Sequence, residues 1–146
     1  MNRYLFPLIT AVLTAGVLLG GCTAPPGIKA LDRQASAEDR MPEGIGFAGT
    51  QVKGEDARLL AENDGIKYFA AKADATHEAC VVIVPQTNPS LWVSGCGSLM
   101  NSGREVVTVN NATGKSAVLV EDGLDTKQWE SEGWTRVHDN VLIPGS

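Results

Sequence analysis

Six short apolar or alternating runs, at residues 57–62, 66–72, 80–85, 91–96, 104–110 and 115–121, follow one another with Gly, Asn, Asp or Pro between them. Turn signals about 8 to 12 residues apart favour a small antiparallel β architecture over helices. Asn63-Asp64-Gly65 reads as a hairpin turn because these residue types tolerate positive φ. The run 57–62, Ala57 to Glu62 (ARLLAE), stays open between a strand and a helical turn. One helix is predicted at 126–132, capped by Asp125, with Gln128 at the capping-box position and Gly133 as its stop. Residues 134–137 and 141–143 read as terminal strands. The expected fold is mainly β: a small antiparallel sheet or sandwich of about six to eight short strands, with one short helix near the C-terminus.

Ahead of these runs, residues 5–19 carry no charge and follow a single cation, Arg3. A membrane-spanning helix needs about 20 apolar residues. A shorter apolar run behind a positive end and before small residues fits a secretory signal that is removed. The run closes on Leu18-Leu19-Gly20-Gly21-Cys22, which resembles the bacterial lipobox. That resemblance implies a diacylglyceryl group on the Cys22 sulfur, cleavage just before it, and acylation of the new amino terminus. Two acyl chains, at about 0.8 kcal/mol per buried methylene, make a lasting anchor. Cys22 is therefore the expected lipidation site, the membrane an expected partner, and the extracytoplasmic face of the cell membrane the expected location.

The rest of the chain divides by composition. Residues 22–46 are rich in Pro, Ala, Gly and charge, with few bulky apolar side chains, and read as a lipidated N-terminus and flexible linker. Residues 47–146 are enough for a single domain with one core. Removing residues 1–21 takes away one cation and no anion, so eleven cations face 17 acids and the net charge moves from −5 to −6. An acidic chain without a basic run is a poor partner for nucleic acid, which rewards a basic face.

With Cys22 committed to lipid, Cys80 and Cys96 remain, and an even pair outside the cytoplasm is expected to be oxidised. Pairing the two runs 80–85 and 91–96 across the intervening loop, with Val84 opposite Trp92, sets Cys80 opposite Cys96. Opposed residues in antiparallel strands lie close enough for a disulfide to bridge. A redox pair would want the close C-x-x-C arrangement, which is missing here.

Other motifs fail on context. Residues 44–49, GIGFAG, match the glycine pattern of a dinucleotide loop but lack the strand before and the helix after; they read as the end of the linker. Residues 113–116, TGKS, lack the first P-loop glycine and read as a turn. His77 and His138 are the only histidines and read as surface turn residues, because a zinc site needs three or four ligands in recognisable spacing. No serine lies in G-x-S-x-G. Trp92, Trp129 and Trp134 read first as packing residues; exposed, Trp129 or Trp134 would serve as a partner contact. No cofactor and no metal ligand set is expected, and no catalytic residue is assigned.

The lipobox, LDRQASAEDRMPE, RLLAENDGIKYFAA, ACVVIV, WVSGCG and GWTRVHDNVLIP together resemble small exported or membrane-anchored proteins of actinobacteria. The resemblance implies an envelope address and a compact domain, and carries no catalytic residues. The expected function is that of a non-enzymatic envelope lipoprotein, a binding or structural module that meets an envelope protein or cell-wall ligand. The alternatives are an inhibitor of an extracellular enzyme, presenting the loop 85–90 (PQTNPS), and a small hydrolase using His77, His138 or an exposed serine.

Overall fold

A computed structural model describes residues 27–47, 49–99 and 103–145; the signal segment and Cys22 lie outside the described residues. Eight strands form two antiparallel four-stranded sheets. The first runs β1 (Arg58–Asn63), β2 (Ile66–Ala73), β3 (Glu78–Pro85) and β4 (Val93–Ser98) in simple meander order. The second holds β5 (Glu105–Asn110), β6 (Ser116–Val120), β7 (Trp134–His138) and β8 (Val141–Pro144) in the order β5-β6-β8-β7. The run 57–62 is thus a strand, β1. Between β6 and β7 lies the expected short helix, α1 (Lys127–Ser131).

Local sequence explains the turns. Asp64 and Gly65, both at positive φ (49° and 70°), form a two-residue connection whose twist suits the flanking strands. At the next tight turn Asn111 Oδ1 accepts the N–H groups of Thr113 and Lys115 at 3.0 and 2.8 Å, and Gly114 takes φ 79°. The TGKS residues are therefore part of a hairpin turn. Asp125 Oδ1 accepts the Lys127 N–H at 3.1 Å and Gly133 ends the helix at φ 94°. Gln128 does not close a capping box; its amide bonds Glu132 one turn on, at 3.2 Å.

Strand alternation sorts the core into three layers. Tyr68, Ala70, Val81, Ile83, Leu119 and Val141 point between the sheets and pack together. Their neighbours Phe69, Ala71, Cys80, Val82 and Val84 point to the outer face of the first sheet, and Val118, Val120 and Leu142 to that of the second. Strands buried on both faces lose the polar half of their alternation, which is why 80–84 is unbroken CVVIV. Each outer face accordingly has a cover. Leu124, Trp129 and Trp134 pack over the second sheet; Met41, Ile45, Phe47, Val52 and Ala57 pack over the first.

That cover corrects the reading of residues 22–46 as a flexible linker. From Ile28 onward the described residues of this stretch are built into the domain: Ile28 and Leu31 enter the layer between the sheets, and Met41 and Ile45 join the outer one. Full burial of one such side chain contributes about 1.5 to 3 kcal/mol. The GIGFAG residues belong to this cover through Ile45 and Phe47 and are not a loose linker end. Two 3-10 turns, Lys29–Leu31 and Ala37–Asp39, lie within the stretch 22–46.

Asp39, only 4% exposed, clips this segment to β1. Its carboxylate accepts from Arg33 Nη1 at 2.6 Å, from the Ser36 N–H at 2.7 Å and from the Leu59 N–H at 2.7 Å. The Arg33 hydrogen bond, with help from these backbone donors and against burial, holds the carboxyl well below the usual carboxylate range. Asp39→Ala is expected to cost about 2 to 3 kcal/mol at neutral pH, since it strips a charged acceptor from several donors while the half-exposed Arg33 returns to water. A carboxyl whose pKa is lowered by folding stabilises above its unfolded value, near 3.9, and that contribution fades as pH falls toward the folded value. Urea unfolding of both proteins should therefore show the gap narrowing below about pH 4; a gap that stays constant with pH would contradict the charged clip.

Candidate functional site

The strands define two ends of the sandwich. At the far end lie the Asp64-Gly65 turn, the 86–92 loop, the 111–115 turn and Pro144; Asn63, Lys115 and Pro144 line one groove there, and Leu91, Trp92 and Asn111 another. At the near end lie the β2–β3 turn, Asp122-Gly123 and the Asp139-Asn140 turn. The described chain also starts there: the Asp122 N–H donates to the Gly27 carbonyl at 2.9 Å.

A cleft of about 460 Å³ opens at the near end, lined by residues including Lys29, Asp122, Arg136, His138, Asp139 and Asn140. Its frame is a hydrogen-bonded relay. Lys29 N–H donates to Asp122 Oδ2 at 2.9 Å, the buried Asn140 amide donates to Asp122 Oδ1 at 2.8 Å and to the Val120 carbonyl at 3.0 Å, and the Asn140 N–H donates to His138 Nδ1 at 3.1 Å. This last bond leaves the neutral ring proton of His138 on Nε2. Burial pushes the His138 pKa down, although Asp139 pulls the other way, which favours the neutral imidazole. No serine, threonine or cysteine is among the described residues lining the cleft, so a hydroxyl for the hydrolase alternative would have to come from elsewhere.

The other residues singled out from sequence scatter. His77 sits exposed in the β2–β3 turn at φ 50°, and its carbonyl accepts the Leu99 N–H at 2.8 Å. Among the described residues no group of three or more His, Cys, Asp or Glu is placed to hold a metal ion. Trp129 and Trp134 are half-buried over the second sheet. Trp92 packs beside Cys96 on the first. Among the described residues the large apolar side chain left exposed is Leu91, at 44%, in the loop just after the PQTNPS stretch.

Cys80 and Cys96 form a disulfide. They stand directly opposite each other in the β3–β4 ladder, flanked by Ala79↔Gly97 and Val81↔Gly95, in the register that setting Val84 opposite Trp92 gives. Cys80 is fully buried.

Glu121 escaped the sequence reading. It follows β6 at the near end and is 1% exposed, yet neither carboxylate oxygen has a hydrogen-bond partner. Burial pushes its pKa up; the backbone N–H groups of Arg104 and Gly103 lie near enough to oppose this in part, without reaching hydrogen-bond geometry. The only hint in the sequence is its position at the end of the alternation Ala117, Leu119, Glu121. A carboxyl whose pKa folding raises costs stability once the pH exceeds its unfolded value, near 4.3, and that cost recedes in acid. Glu121→Leu is expected to stabilise the domain by about 1 to 3 kcal/mol at pH 7 and by less near pH 4. Thermal unfolding at the two pH values checks this, and a destabilised variant would mean the carboxylate is held after all.

Among the described residues no helix is long and apolar enough to cross a membrane. No family model, no curated protein and no solved structure matches the chain. Fold and site define a small two-sheet β domain with a cross-strand disulfide and a cleft, rimmed by charged side chains, beside the first described residues.

Proposed function

We propose that the protein is an extracytoplasmic lipoprotein, held on the cell membrane by a diacylglyceryl group on Cys22, whose β domain acts as a binding or structural module of the envelope. The observation that carries this reading is the Cys80–Cys96 disulfide. Such bonds persist in oxidising compartments and are rare in the cytosol, which supports export. It also leaves Cys22 as the one cysteine of three outside the pair, directly behind the signal-like run. Cys22→Ala is expected to move the protein from the detergent phase to the aqueous phase on phase separation and to abolish labelling by a fatty-acid analogue. An unchanged detergent-phase fraction would overturn the anchor.

One observation favours a second reading, that of an inhibitor of an extracellular enzyme. Leu91 projects from the loop between two disulfide-linked strands, an arrangement that presents an apolar side chain on a rigid base. Leu91→Asp should abolish binding to such an enzyme and leave thermal stability within about 0.5 kcal/mol.

A further inference from the structure

We infer that the domain stands directly against the bilayer on its near end, with the Lys29–Arg136–Asp139 rim at headgroup level and the Leu91 and Asn111 loops facing away. This rests on the lipid anchor proposed above. Composition suggested a spacer of some twenty residues between anchor and domain, which would let the domain roam in any orientation. The structure removes most of that spacer. Ile28 is 1% exposed in the layer between the sheets, and Gly27 and Lys29 are both bonded to Asp122.

Only residues 23–26 then separate the lipid-bearing Cys22 from Gly27. Five residue steps span at most about 18 Å when fully extended. Strands β2 and β3 have eight residues each and are about 26 Å long. A domain turned over, with its far end on the membrane, would lift Gly27 beyond the reach of the tether. Chain length thus selects the end that meets the lipid.

Charge does not select it. On this rim Lys29 and Arg136 stand with Asp122 and Asp139, so cations and anions balance and the surface has no preference for anionic headgroups. The partner of the near end is therefore a lipid surface of either charge, held there by the covalent tether. One consequence is that the His138 cleft opens toward the membrane and the far-end loops are the ones presented to other envelope molecules.

The test uses the full lipidated protein in vesicles. With Cys22 acylated and Cys80 and Cys96 paired, a cysteine introduced at an exposed turn is the only free thiol. Asp139→Cys and Ala112→Cys, at the near and far ends, are each labelled with a fluorophore. Quenching is read in phosphatidylcholine vesicles with a nitroxide on the headgroup, with and without phosphatidylglycerol. The expected result is several-fold stronger quenching at position 139 than at 112 in both lipid compositions. Insertion of about 20 Gly and Ser residues before Gly27, a coil of about 25 Å, should erase the difference while the protein still sediments with the vesicles. Equal quenching at both positions without the insertion, or stronger quenching at 112, in protein that sediments would overturn this inference and leave the anchor standing. Failure to sediment would overturn both.

Discussion

Gly97→Ala is expected to be the most damaging single substitution in the domain. A Cβ on Gly97 would lie 1.9 Å from the Val106 carbonyl oxygen and 2.8 Å from its carbonyl carbon. Both are backbone atoms, so no side chain can rotate out of the way. The added methyl must push β4 from β5, which is where the two sheets meet. Inserting a methyl into a packed interior costs about 1 to 3 kcal/mol when side chains yield, and this site should exceed that range. The melting temperature should fall by roughly 10 °C or more for a domain of this size. Gly46→Ala is the control, because a Cβ there meets nothing within 4 Å and its backbone needs no positive φ. Similar melting temperatures for the Gly97 and Gly46 variants would refute the close approach of the strands.

Loss of the Cys80–Cys96 bond should have an effect of comparable size. The two residues are 16 apart in sequence, and closing a loop of that length contributes about 3 kcal/mol by restricting the unfolded chain. That is a large share of the 5 to 15 kcal/mol typical of a whole domain. The double replacement Cys80→Ala and Cys96→Ala should therefore lower the urea midpoint strongly. Because Cys80 is fully buried among Phe69, Val82 and Trp92, lost packing adds to the entropic effect. A midpoint within experimental scatter of the parent would show that the crosslink is not stabilising. Reduction of the unaltered protein should reproduce most of the loss without the packing defect.

Local chemistry was readable wherever a few neighbouring residues decide a conformation. Asp64-Gly65 takes its two positive φ angles because those residue types tolerate them, and β1 and β2 follow on either side. The β3–β4 register was also readable. Folding the runs 80–85 and 91–96 back on each other across the intervening loop, with Val84 opposite Trp92, sets Cys80 opposite Cys96, and the ladder has that register.

Residues 28–46 were misread as linker because their apolar side chains have no period of their own. Ile28, Leu31, Met41, Ile45 and Phe47 fill sites created by strands far along the chain, so no local window records their burial. Two signals were present all the same. The unbroken CVVIV implies a strand covered on both faces, and some segment must supply the second cover. Ser36-Ala37-Glu38-Asp39 has capping-box spacing, and Asp39 does return to the Ser36 N–H. Glu121 and the His138 cleft left less trace, since each depends on which distant backbone groups gather at one end of the sandwich.

The amino-acid sequence by itself determined the turns, the strand pattern and the helix after Asp125, because each is settled by the φ preferences or alternation of adjacent residues, and it left Cys80 and Cys96 as the pair once Cys22 was assigned to lipid. Only the tertiary structure decided how the sheets stack, that Ile28, Leu31, Met41 and Ile45 are part of the core, and which end of the domain lies a few residues from Cys22. Those outcomes depend on burial, which is shared among residues remote in sequence and has no value until all of them are in place.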